Sequence, residues 1–136
     1  MADIRKFGVE ETGALNLVDA SDQPLVDDEG KPLTITLYSP GSKQYVRAQA
    51  AQSNRMLDRL KRRGKSDQTA EEKTREQAEF LAACTHSFSD NIEYDGLKGE
   101  ALFRAVYADA TVGFIAEQAG KFLGDWGNFT KRSTPS

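Results

Sequence analysis

Two residue types that carry much of protein chemistry are nearly missing. Among 136 residues there is one cysteine, Cys84, and one histidine, His86. A single cysteine forms no internal disulfide, which fits a reducing compartment. One Cys and one His two positions apart cannot supply a zinc site within a single chain. No hydrophobic run approaches the roughly 20 residues needed to cross a bilayer. The opening MADIRKFGVEETG has no apolar stretch of the signal-peptide kind, so secretion is not expected. The net charge of -3 offers no global attraction for nucleic acid. What remains is a chain with 38% apolar residues and a mean hydropathy of -0.60, long enough to bury a core as one domain.

Catalytic patterns are equally sparse. His86, Ser87 and Asp90 sit within one stretch expected to be helical, with no separate oxyanion element to complete a hydrolase site. Gly64-Lys65-Ser66 ends like a phosphate-binding loop. The first glycine of that motif would fall on Arg59, however, and a helix rather than a strand precedes it. Asn91, Glu93, Asp95 and Gly96 match the first half of a calcium loop, but its ninth and twelfth positions are Gly99 and Leu102. A turn is the simpler reading, with Ile92 and Tyr94 pointing inward. The expectation is a protein that is not an enzyme, with no catalytic residues, cofactor or metal.

Charge is present but uneven. The first 30 residues carry Asp3, Glu10, Glu11, Asp19, Asp22, Asp27, Asp28 and Glu29 against Arg5 and Lys6. Residues 55–65 carry Arg55, Arg59, Lys61, Arg62, Arg63 and Lys65 against Asp58. The basic stretch suits the C-terminal end of a helix, where cations complement the dipole. Arg59, Arg62 and Arg63 are also candidates for contact with another copy or a partner, and nucleic acid is a third, weaker reading.

The fold class expected is α+β and mostly helical: a small antiparallel β element over 1–38, a helical region of about four helices over 39–130, and a polar tail over 131–136. Residues 15–19 and 33–38 read as strands; in the second, Leu33, Ile35 and Leu37 alternate with Thr34, Thr36 and Tyr38. DQPLV is a candidate for a short extra strand, and DDEGKP is turn chemistry. Ser39 and Pro40 predict the start of a long helix ending at Gly64, with a core stripe of Tyr45, Ala48, Gln49 or Gln52, Met56, Leu57 and Leu60. That stripe is thin, which predicts a helix on the surface or at an interface.

Thr69 and Glu72 predict a capping box for a helix running to about Phe88. A short helix follows Gly99 with Leu102, Phe103, Val106 and Tyr107 on one face, and Asp109 caps the last helix. There Val112, Ile115, Ala119, Phe122, Trp126 and Phe129 recur every three or four residues, widened by Phe114 and Leu123. Phe114, Trp126 and Phe129 are candidate partner-binding residues; Trp126 and Phe129 read either as core or as partner surface. Fading of the stripe into KRSTPS predicts Phe122 in the core and Phe129 at the surface.

The order TITLYSPGSKQY, a long helix, FLAACTHSFSDNIEYDG, FRAVYADATVGFI and FLGDWGNF spans about Leu33 to Thr130. It resembles the tail assembly chaperones of long-tailed bacteriophages. The resemblance implies a small helical protein of the host cytoplasm that self-associates and coats the aggregation-prone tape-measure protein. It further implies recruitment of tail-tube protein and absence from the mature virion. Members of that family are often made in two lengths by frameshifting, and on this resemblance the chain would correspond to the short form. Two alternatives are a structural tail or head–tail connector protein that stays in the virion, and a nucleic-acid-binding regulator using residues 55–65. Genomic position beside a tape-measure gene distinguishes them.

Overall fold

The computed structural model describes residues 1–64 and 67–130. The polar tail and the Lys65-Ser66 part of the rejected phosphate-loop reading lie outside them. The architecture is mostly helical α+β. A three-stranded antiparallel sheet of β1 (Thr12–Asn16), β2 (Thr34–Tyr38) and β3 (Thr85–Phe88) packs on helices α2 (Ala70–Ala83), α3 (Gly99–Ala108) and α4 (Gly113–Leu123), and α1 (Lys43–Arg63) packs on α2. Short 3-10 turns occupy Ile4–Phe7, Ala110–Val112 and Trp126–Phe129. Among the described residues, no helix is long and apolar enough to cross a membrane.

β2 is the central strand and follows the alternation in its sequence. Ile35 and Leu37 are fully buried, while Thr34, Thr36 and Tyr38 face the half-covered side. β1 pairs with it from Thr12↔Tyr38 to Asn16↔Thr34, earlier than the expected 15–19. At 85–88 sheet pairing overrides helical apolar spacing. Thr85 to Phe88 were expected to finish α2, because FLAACTHSF continues its apolar spacing. The helix instead stops at Ala83, and these residues form β3 on the free edge of β2, stepping past His86 between Thr85↔Leu37 and Ser87↔Thr36. Buried Thr85 ties the strand inward: its hydroxyl donates to the Leu81 carbonyl at 2.7 Å and lies 2.8 Å from the Tyr107 hydroxyl. Phe88 packs on Phe103 and meets Tyr107 edge-on, with ring centroids 4.6 and 5.8 Å apart.

The connection between β1 and β2 is built from a tandem octad, LVDASDQP then LVDDEGKP, followed by Leu33. Each octad folds as a small hairpin leaf. Val18 bridges Pro24 in one leaf and Val26 bridges Pro32 in the other. Asp19 accepts the N–H groups of Ser21 and Gln23, and Asp27 those of Glu29 and Lys31, at 2.8–3.0 Å. The two positive-φ residues, Asp22 and Gly30, occupy equivalent places. Leu17 donates to Leu33, Leu33 to Leu25 and Leu25 to Leu17, closing a ring of backbone bonds where the leaves meet the hairpin. DQPLV therefore contributes isolated bridges rather than a strand.

α1 begins three residues later than expected. Ser42, not Ser39, accepts the Tyr45 N–H as N-cap, and Ser42 donates its hydroxyl to the Ser39 carbonyl, which leaves Ser39 and Pro40 in the buried turn before the helix. Gly64 ends it in the left-handed region at φ 71°, with its N–H on the Leu60 carbonyl. The Thr69–Glu72 capping box opens α2, and Leu102, Phe103, Val106 and Tyr107 of α3 are buried. Asp109 caps the 3-10 turn at Ala110–Val112, which leads into α4.

Candidate functional site: a protein-docking surface

α1 and α2 lie side by side as a hairpin held by apolar contact near the start of α1, where Tyr45 meets Phe80 edge-on at 5.8 Å, and by charge towards its end. The expected core stripe of α1 is divided. Ala48 is buried and Tyr45 half-buried, but Met56, Leu57 and Leu60 are 46–48% exposed. The inward position near the helix end belongs to Arg59, whose side chain is 5% exposed. The reason lies on α2, which presents Glu72, Glu76 and Glu79 at helical spacing. Arg63 grips Glu72 with two parallel bonds of 2.8 and 2.9 Å. Arg59 contacts both carboxylate oxygens of Glu76, and Gln68 adds a bond to the same group at 3.1 Å. Arg55 reaches Glu79 at 3.4 Å and Glu76 at 3.8 Å. Forked guanidinium–carboxylate pairing fixes geometry as well as charge.

The Arg63 bonds, followed by those from Thr69, hold the Glu72 carboxyl down to about 2. The Arg63 guanidinium is correspondingly raised by Glu72. With its charged face turned inward, α1 presents outward a stripe that is apolar but for Ser53: Val46, Ala50, Ser53, Met56, Leu57 and Leu60. From Val46 to Leu60 this extends about 21 Å at 1.5 Å per residue.

The candidate contact residues are dispersed by the fold. Arg59 and Arg63 are committed to the ladder. Arg62 is exposed, with its Nε 3.4 Å from the Asp58 carbonyl oxygen. Phe114 is half-buried on α4. Trp126 and Phe129 separate completely. After α4 ends at Leu123, Asp125 caps the last 3-10 turn, which swings Phe129 under the sheet and leaves Trp126 out. Phe129 is 1% exposed and Trp126 is 55% exposed. Phe129 meets Phe122 edge-on at 5.1 Å, and its carbonyl accepts the Glu10 N–H at 2.7 Å. The expectation of a surface Phe129 is thus corrected; Phe122, expected in the core, is half-buried against it. Trp126 stands beside Gly41, just before α1 begins.

His86 and Ser87 share a bond of 2.9 Å on β3, with the His86 ring edge-on to Tyr38 at 5.6 Å. Asn91 of the calcium-like loop instead ties down the second leaf, donating to Asp27 at 3.0 Å and to the Pro32 carbonyl at 3.2 Å. Among the described residues no cluster of three His, Cys, Asp or Glu is arranged to hold a metal. A groove of about 460 Å³ between α2 and α3 has a floor of Ala70, Thr74, Ala78 and Ala108. The thin stripe predicts a helix at the surface or an interface, but Met56, Leu57 and Leu60, expected inward, are the residues left outside. The available signal was the match between Arg55, Arg59 and Arg63 and the glutamates of the next helix. No family model, curated protein or solved structure matches the chain.

Proposed function

We propose that this protein is a non-enzymatic tail assembly chaperone of a long-tailed bacteriophage, which self-associates and binds the tape-measure protein in the host cytoplasm during tail assembly. The observation that supports the reading best is the outward apolar stripe of α1. A long client helix needs a partner that offers an apolar face, makes no covalent change and releases it later. α1 offers such a face and keeps it exposed, because its other side is committed to the ladder with α2. The resemblance from Leu33 to Thr130 selects this client among proteins with exposed helices.

The test is co-expression with the tape-measure protein of the same phage, affinity purification, and mass spectrometry of mature particles. The expected result is co-purification of the tape-measure protein with the wild type, its loss from the Leu57→Asp/Leu60→Asp variant, and absence of this chain from virions. Persistence in virions at constant copy number replaces the reading with a structural tail or connector protein. Light scattering from micromolar to near-millimolar concentration tests self-association; a monomer throughout removes that part.

A further inference from the structure

The apolar stripe has a charged border, and on α1 that border carries three cations against one carboxylate. At about 100° per residue, Lys43, Arg47 and Lys61 fall along the solvent edge of the line through Val46, Ser53, Leu57 and Leu60. All three are exposed, and among the described residues none makes an ion pair. The only acidic residue of α1, Asp58, lies about 20° beyond Arg47 on the same side of the helix, and Glu10 and Glu11 line the same hollow as Lys43. The other edge of the stripe runs into the buried face against α2. Lys43 and Arg47 stand near one end of the stripe and Lys61 near the other, with uncharged Asn54 between them.

The stripe itself alternates in size. Val46 and the group Met56, Leu57 and Leu60 are large; Ala50 and Ser53 between them are small. A hollow flanked by large side chains accepts the knobs of another helix, whereas a lipid surface has no use for it. We propose that this face seats an acidic amphipathic helix of a partner protein, with its apolar seam between Val46 and Leu60 and its carboxylates toward Lys43, Arg47 and Lys61. The proposal rests on the reading of α1 as the client-binding face and adds the charge of the client segment. Complementary borders of this kind set partner choice and orientation while the seam holds the pair together.

Two fluorescent synthetic helical peptides of 18 residues test it. They share one leucine seam and differ only in flanking residues, glutamate in one and lysine in the other. Fluorescence anisotropy against the full chain at low salt should show the glutamate peptide binding at least tenfold more tightly. The difference should shrink as salt screens the border. Leu57→Asp/Leu60→Asp should abolish binding of both, and Lys43→Glu/Arg47→Glu/Lys61→Glu should invert the preference. These substitutions are on exposed positions, and circular dichroism melts verify that each variant stays folded.

Equal affinity for the two peptides overturns the proposal, as does an acidic preference that survives the triple charge reversal. Failure of both peptides to bind also overturns it. Vesicles of phosphatidylserine and phosphatidylcholine form a third arm. Leu57- and Leu60-dependent binding to them without peptide discrimination assigns the stripe to a membrane surface instead. Co-purification with the tape-measure protein separates this proposal from the functional reading. A client retained equally by wild type and triple variant refutes the charge rule alone. A glutamate peptide that binds where no tape-measure protein does refutes the chaperone reading alone.

Discussion

Arg59 of α1 and Glu76 of α2 face each other with side chains 5% and 6% exposed, a full charge pair sealed between two helices. Such a pair tolerates loss of both members better than loss of one. Arg59→Ala or Glu76→Ala strands a buried charge and should cost about 3–5 kcal/mol. The double variant Arg59→Leu/Glu76→Leu should cost clearly less than the sum of the singles. Urea denaturation of the three variants measures this, and additive losses would show that the two residues do not act as a pair.

Acid should loosen the same hairpin at its connected end, beside the turn between the helices. Glu72 titrates at about 2 when folded, against an ordinary value of 4.5, because Arg63 and Thr69 bond its charged form. A depressed carboxyl contributes stability that is fully present above its unfolded value and is lost as pH falls through the folded one. The Glu72 contribution therefore disappears between about pH 4.5 and about pH 2. Thermal melts across that range should fall less steeply for Glu72→Gln than for the wild type. Parallel slopes would remove Glu72 from the acid response.

The two aromatic residues of the last turn should behave oppositely. Phe129→Ala should cost about 3–5 kcal/mol, as for a large aromatic deleted from a core. Trp126→Ala should stay within about 0.5 kcal/mol, as for a surface position. Gly13→Ala should reproduce part of the Phe129 loss, since an added Cβ would sit 2.8 Å from the Asn128 carbonyl oxygen and 2.9 Å from the Phe129 ring. Equal midpoints for the Trp126 and Phe129 variants in urea would refute this division.

Cys84 should report opening of the core. Burial pushes its thiol up to about 12, and the side chain has no exposure. Modification by a thiol-specific disulfide reagent at pH 8 should be slow in the native protein and fast in urea. Immediate native reaction would contradict the buried placement.

Where the chain obeys local rules, its fold is readable from sequence. Alternation gave β2 its inward Ile35 and Leu37, and apolar spacing gave α3 its four buried residues. Thr69 with Glu72 and the left-handed Gly64 marked two helix ends correctly. Reading failed where a distant partner decided the outcome. Thr85–Phe88 has helical spacing, but the open edge of β2 draws it into the sheet. Met56, Leu57 and Leu60 look like core, but the glutamates of α2 claim the inward position for arginines. A period identifies a face; it does not say which face turns inward when the neighbour is charged. Phe129 was displaced by Gly124 and Asp125, which end the helix before the stripe does.

The ring of bonds among Leu17, Leu25 and Leu33 makes the length of this connection discrete. Excising residues 25–32 would bring Leu33 into the place of Leu25, where it could take up the Leu17 carbonyl while still receiving the Leu17 N–H. One leaf would vanish and the register of β1 on β2 would stay as it is. Losing a single residue has no such remedy, because every later side chain would change face. Natural variation here should therefore come in steps of eight.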